Sequence, residues 1–406
     1  MEGGVGQDVD QGFTVDFKFP VYFTQNIFSV QNSIFSDAVR RLEPDKRHRV
    51  LFIIDENVIQ SHPDLLSSLE RYFSSNPEFL ELISPPIPVP GGESVKNDFK
   101  HVLRLAEEIS ERGVDRQSFL AVIGGGAVLD MACFVSAICH RGIRTIRIPT
   151  TVLSQADSGV GVKNGINGFG KKNFFGTFVP PFAVINDSLF IDTLSHRDKL
   201  AGLAEAVKVA LIRDREFFGY IEQNAALLAT ADRDAMNYHI RRTAELHLQH
   251  IRTSGDPFEF GSARPLDFGH WVAHKMESMT EHSLRHGEAV AIGVAVDSVY
   301  SMRMGFLQAA ETERILCLLE HLGFTLWHDA LLASDNHGKC IVLKGLDEFR
   351  EHLGGTLHIT LLRNIGDGFE VQEMNSGVVL DSIRWLGKRF EGAMANLPDR
   401  SAVALK

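Results

Sequence analysis

Apolar residues fall in two different rhythms along this 406-residue chain. In the first half they gather into short runs. Arg49–Asp55 (RVLFIID) is a β-branched and apolar run ending in an acid, and it predicts a buried strand. Ser118–Ile123 (SFLAVI), Thr145–Ile148 (TIRI) and Phe182–Ile185 (FAVI) predict three more. Residues 97–112 carry helical spacing through Phe99, Val102, Leu103, Ala106 and Ile109, with Asn97 as a candidate N-cap. The run at 118–123 leads straight into Gly124–Gly126 and an apolar helix, AVLDMACFVSAIC. Strands alternating with helices imply a mostly parallel α/β sheet.

After about residue 190 the period changes to that of helices. The segments are Lys199–Ile212, Arg215–Ala229, Asp234–Ile251, Asp267–Met279 and Gly287–Met304, with one short strand at Leu357–Leu362. The expected architecture is an α/β N-terminal domain over residues 13–190 and a mainly α-helical C-terminal domain over residues 191–406. A polar, Gly-rich tail of residues 1–12 is expected to be disordered.

Charge narrows the partners. The formal net charge is −11, and no block of Lys and Arg interrupts the acidic balance, which argues against nucleic acid. No apolar run is long enough to span a bilayer, and the N-terminus shows no signal peptide. A cytoplasmic enzyme is expected. The four cysteines form no CxxC pair and read as buried reduced thiols.

Three constellations carry chemistry. The first is the strand–GGG–helix junction. Its glycines let the backbone approach a ligand and expose amide N–H groups at a helix start, which suits a phosphate or pyrophosphate. Its GGGxxxD spacing differs from the GxGxxG fingerprint. The second is the polar run 149–176, read as one long loop. It holds Thr150, Thr151, Asp157, Lys163, Lys172 and Asn173, and its lysines suit a phosphoryl group. The third is DFGHWVAHKME, where His270 and His274 stand one turn apart on a helix face, with His286 shortly after. That spacing suits a transition metal or a shared anionic ligand. Glu205 adds a carboxylate inside an apolar helix, with Lys208 one turn on. On the residues alone, this is a metal facing a nucleotide site, and hydride transfer to or from an alcohol.

GGGAVLD, RGIRTIRIPTTVLSQADSGVGVKNGIN, GKKNFFG, AGLAEAVK, LDFGH and HGEAVAIG occur in that order between roughly residues 50 and 300. In them the chain resembles the sugar phosphate cyclases, the family of 3-dehydroquinate synthase and the C7-cyclitol synthases. The resemblance implies an NAD-binding domain, a helical metal domain, a Zn or Co ion, a small sugar phosphate as substrate, and a homodimer. It assigns the metal to Glu205, His270 and His286, and turns His274 toward substrate. Lys208, Asp157, Lys163 and Asn173 match substrate contacts, and Lys172 matches a lysine of the family's GKN motif. Arg141 matches an arginine reaching the partner subunit's phosphate. Asp55, Glu93 and Lys96 match adenosine-ribose contacts; Gly125, Gly126, Asp130, Thr150 and Thr151 match contacts along the rest of NAD.

Some positions depart from 3-dehydroquinate synthase. LDFGH carries Asp267 where that enzyme usually has Asn. An ionised Asp267 would repel a substrate carboxylate but accept hydrogen bonds from hydroxyls. A lysine expected near Gln249 and His250 is missing. The DKK-type motif gives way to EFREHLGGTLHITLL, residues 348–362, which looks like the C7-cyclitol synthases. The expected substrate is therefore sedoheptulose 7-phosphate and the product a valiolone-type cyclitol. A 3-dehydroquinate synthase and a metal-dependent polyol dehydrogenase are the alternatives.

Overall fold

A computed structural model describes residues 11–253, 267–281, 283–352 and 356–395. Its first half is built on one sheet. The chain forms strands β1 (Val21–Thr24), β2 (His48–Asp55), β3 (Leu80–Leu82), β4 (Ile87–Val89), β5 (Phe119–Gly124), β6 (Arg144–Pro149) and β9 (Ala183–Asp187). Their order is β1-β9-β6-β5-β2-β3, with β4 also on β2, and every pairing is parallel.

Strand β2 shows why the four apolar runs become strands. Val50, Phe52 and Ile54 enter the core on one face, while Leu51 and Ile53 enter a separate core on the other. Both faces are covered, so the run is apolar throughout rather than alternating. The short strands β1, β3 and β4 escape sequence reading because they are only three or four residues long.

The connectivity places a crevice. After β2 the chain builds β3 and β4 on one side, then returns to build β5 and β6 on the other. Ligands of such sheets bind outside the carboxyl ends of the strands where the order reverses. Here those ends are Asp55 of β2 and Gly124 of β5.

The polar run 149–176 is not one loop. It holds a helical turn at Ser154–Ser158 and an antiparallel hairpin, β7 (Lys163–Gly168) with β8 (Lys171–Phe178). Glycine hid the hairpin from the sequence. Gly165 lies where a Cβ would meet the Phe175 carbonyl oxygen at 2.8 Å, so the pairing requires the residue that weakens a strand signal. Arg147 of β6 anchors this segment. Its guanidinium is 1% exposed and donates to the carbonyls of Gly159 (3.3 Å) and Gly161 (2.8 Å) and to the Asn164 side chain.

Helices follow from Leu189, with a β10–β11 hairpin (Ile359–Asn364, Asp367–Val371) and a last helix at Ser376–Ala395. The predicted helix 199–212 is two, His196–Ala201 and Leu203–Arg213; Gly202 between them packs against Val152 too closely for a side chain. The predicted helix 215–229 also breaks, at Asn224. The helix expected from Asp267 starts at His270, because Gly269 takes a left-handed φ of +76°. Asp98, not Asn97, caps the Phe99–Glu111 helix by accepting from the Lys100 amide. Only Cys133 of the four cysteines is buried; Cys139, Cys317 and Cys340 are half-buried. Among the described residues no helix is long and apolar enough to cross a membrane. Residues 1–10 of the expected disordered tail lie outside the described residues.

Candidate active site

The sheet crevice is lined by close backbone approaches. The Gly126–Ile138 helix starts directly after β5, with Gly125 as its N-cap. A Cβ on Gly124 would press on Val128 and Asp55, one on Gly125 would meet Thr151 at 3.3 Å, and one on Gly126 would meet Ser158 Oγ at 2.7 Å. None of the three has a positive φ. Their value is the absent side chain, which leaves the helix N-terminus open to an anion. Asp55 is buried at the end of β2, its carboxyl raised by burial and partly stabilised by the Asn57 amide. Gly91 lies over it with no room for a Cβ.

Lys96 is engaged inside the fold. It is 2% exposed and its ammonium donates to Asp130 (2.7 Å) and to the Asn173 side-chain Oδ1, with Glu93 at 3.7 Å. Thr150 is buried, and Thr151 pairs its hydroxyl with Ser154 at 2.8 Å. These expected nucleotide residues thus converge around one crevice.

The second cluster lies in the helical half. Glu205 Oε1 is 3.4 Å from His270 Nε2 and 3.2 Å from His286 Nε2. One ligand atom from each of the three falls within 4.8 Å of the other two. Each ring's other nitrogen has its own partner: His270 Nδ1 meets the Phe268 carbonyl at 3.2 Å, and His286 Nδ1 meets Glu277 at 3.2 Å. Both Nε2 atoms are thereby turned toward Glu205, and the three groups are the donor set of a tetrahedral or five-coordinate divalent ion. The geometry fits such a metal.

Charge is concentrated here. Burial alone would raise Glu205, but Lys208, His270 and His286 outweigh it and hold its carboxyl well below the usual range. Burial works against charge on Lys208 too, yet Glu205, Asp157 and Asp267 keep it raised. His286 is pushed up to about 9, because Glu205 and Glu277 overcome its desolvation. His274 stands on the open side of the helix, and its protein surroundings with the nearby Lys172 charge hold it well below its ordinary value. It presents a neutral imidazole at neutral pH.

Asp157, in the helical turn after β6, lies 2.7 Å from His247 Nδ1 on the Arg233–Thr253 helix. Burial raises its carboxyl, but His247 and Lys208 bring it below the usual value. His247 was not legible in sequence, since a lone histidine on a long polar helix carries no pattern. Lys163 is exposed at the start of β7. Lys172 reaches Glu277 at 3.4 Å. Arg141 is exposed just past the Gly126–Ile138 helix, in a turn where it and His140 both have positive φ; it joins none of these clusters.

Two packing features aim the imidazoles. Gly269 and Gly293 meet where their helices cross, and neither has room for a side chain. Fully buried Asp297 accepts from the Gly269 amide (3.0 Å) and Trp271 Nε1 (3.0 Å), on either side of His270. Burial raises Asp297 to about 7. A carboxyl raised in the fold stabilises it fully below the unfolded pKa near 4, and that share is lost as pH rises through about 7. The stability of the wild type relative to Asp297→Asn should therefore fall between about pH 4 and 7. Denaturant melts of both proteins across that range check it.

The sequence profiles for 3-dehydroquinate synthase N-terminal and C-terminal domains match residues 86–201 and 202–341. A 3-dehydroquinate synthase of Geobacter sp. (strain M21) is 39% identical over 59% of this chain, a match spanning 66% of that relative's length. One of Roseobacter denitrificans is 33% identical over 82% of this chain and 88% of its own. The structure of 2-epi-5-epi-valiolone synthase from Streptomyces hygroscopicus subsp. jinggangensis, with NAD⁺ and Zn²⁺ bound, superposes with a TM-score of 0.81 at 26% identity. It covers 94% of this chain and 99% of that one. A parallel-sheet domain joined to a helical domain, as here, is the architecture of the sugar phosphate cyclases. This chain belongs to the 3-dehydroquinate synthase family within that superfamily.

Proposed function

We propose that this protein is an NAD- and divalent-metal-dependent lyase that releases phosphate from sedoheptulose 7-phosphate and closes the remaining carbon chain into a valiolone-type cyclitol. The observation that carries the reading is the Glu205–His270–His286 donor set, coupled electrostatically through Lys208 to Asp157 beside the glycine crevice. The valiolone synthase likeness supports the same reading.

When bound, NAD⁺ would supply a reversible hydride acceptor, and a Zn²⁺ or Co²⁺ ion would supply Lewis acidity. Glu205, His270 and His286 would hold the ion. Asp55, Glu93, Lys96, Gly125, Gly126, Asp130, Thr150 and Thr151 hold the nucleotide. Oxidising one carbon to a ketone acidifies the neighbouring C–H. The leaving phosphate takes that proton as its C–O bond breaks, so phosphate departs by elimination and leaves a C=C bond beside the ketone. The ketone is then reduced again, the ring opens, and an intramolecular aldol addition forms the new C–C bond. The sequence is redox-neutral.

Lys163 and Lys208 offset the charge of phosphate and enolate. His274, on the open side of its helix, accepts a hydrogen bond from a substrate hydroxyl. Lys172 and Asn173 border the substrate from the hairpin. Arg141, exposed and held in a strained turn, serves the phosphate of a second copy in a homodimer. Asp267 sits within electrostatic reach of Lys208 and disfavours a substrate carboxylate.

The test supplies purified protein with NAD⁺, Zn²⁺ or Co²⁺, and each candidate sugar phosphate, and measures released phosphate. Sedoheptulose 7-phosphate should turn over with no net NADH. Turnover of 3-deoxy-arabino-heptulosonate 7-phosphate alone would sink the substrate assignment. That outcome is the second reading, a 3-dehydroquinate synthase, which the names of the relatives favour. Accumulating NADH would mark a polyol dehydrogenase instead.

A further inference from the structure

Lys172 and Asn173 are adjacent on β8 and engage different halves of the molecule. Asn173 accepts from Lys96, which also holds Asp130 on the nucleotide side. It does so from a left-handed φ of +53°, unusual inside a strand. Lys172 reaches the other way, 3.4 Å from both oxygens of Glu277. Glu277 is 5% exposed, on the helix that carries His270, and its Oε2 lies 3.2 Å from His286 Nδ1.

We propose that Glu277 is the positioning residue of His286, and that Lys172 fixes Glu277 in place, so that the aim of a metal-facing imidazole is set from the hairpin of the nucleotide domain. The inference rests on the metal reading above.

The geometry accounts for each part. An imidazole can turn about its Cβ–Cγ bond, and His286 sits at the first position of its helix. An acceptor on Nδ1 fixes both the ring's orientation and its tautomer, leaving Nε2 toward Glu205. A buried carboxylate needs a counter-charge, and the Lys172 ammonium supplies it. His274, Glu277 and His286 could also be read as a second metal position. Lys172, already beside both Glu277 oxygens, fills the cationic role there and makes that group an anchor.

Cobalt binding tests this directly. Wild type, Glu277→Gln and Lys172→Met are titrated with Co²⁺ against a chromophoric chelator, and the visible bands of the bound Co²⁺ are recorded. Glu277→Gln should weaken Co²⁺ binding by about 10- to 100-fold and shift its bands. Lys172→Met should change both in the same direction by less. Wild-type affinity and bands in both variants would overturn the proposal, as would a wild type that binds no Co²⁺, an outcome that removes the metal reading as well. If Glu277→Gln does not fold, Lys172→Met decides, because that side chain is one-third exposed on a hairpin.

Discussion

His270→Ala should leave a folded protein that neither retains a divalent metal nor turns over its sugar phosphate. His270 Nε2 is one of three donors, with Glu205 Oε1 and His286 Nε2, and the remaining two cannot replace it. Lewis-acid stabilisation is worth several kcal/mol, so turnover should drop about 10³-fold or more. The loss is not simply one of stability. Removing the ring leaves Glu205 still paired with Lys208 and His286, so the buried carboxylate keeps countercharges. Metal analysis of the purified variant, beside its phosphate-release rate and a thermal melt, separates the effects. Full metal occupancy with an unchanged melt would show that the ligand assignment is wrong.

Gly287→Ala should cost the fold about 3 kcal/mol and loosen metal binding with it. Alanine is ordinarily the better helix residue by up to about 1 kcal/mol. Here a Cβ would overlap the backbone carbonyl of Ala201, at the end of the short helix before Glu205's own. Backbone atoms cannot step aside as a flexible side chain does, so one helix must move. Gly287 follows His286, and any retreat carries that imidazole away from Glu205. Gly219→Ala is the control: it is also within a helix but has open space around its Cβ position, so it should be neutral or stabilising. Denaturant melts of the two variants give opposite signs if the contact is as described. Equal melts would remove it.

Sequence and structure agree best where a pattern is long or doubly constrained. The buried strands at 49–55 and 118–123 announce themselves, because two covered faces demand apolar residues throughout. Helical spacing alone singles out His270 and His274; only the family motifs replace His274 with Glu205 and His286 in the expected ligand set. What was hidden depends on contacts between distant segments. Glu277 and His247 look like ordinary polar helix residues until folding brings them to His286 and Asp157. Arg147 sits in a run read only as a strand, and its buried role needs the carbonyls of Gly159 and Gly161. The β7–β8 hairpin was obscured by the very glycines that let it pair. Helix breaks at Gly202 and Asn224 fall within runs of unbroken helical period, so nothing local marks them.

Among the described residues strand β1 pairs only with β9, and the Asp187 carboxylate caps the amides of Asn26 and Ile27 about 160 positions upstream. During synthesis, β1 therefore leaves the ribosome well before the strand that pairs with it. At roughly 5–20 residues per second, it waits on the order of 10–30 s for its neighbour. Through that interval its alternating Phe19, Val21 and Phe23 have no core to enter.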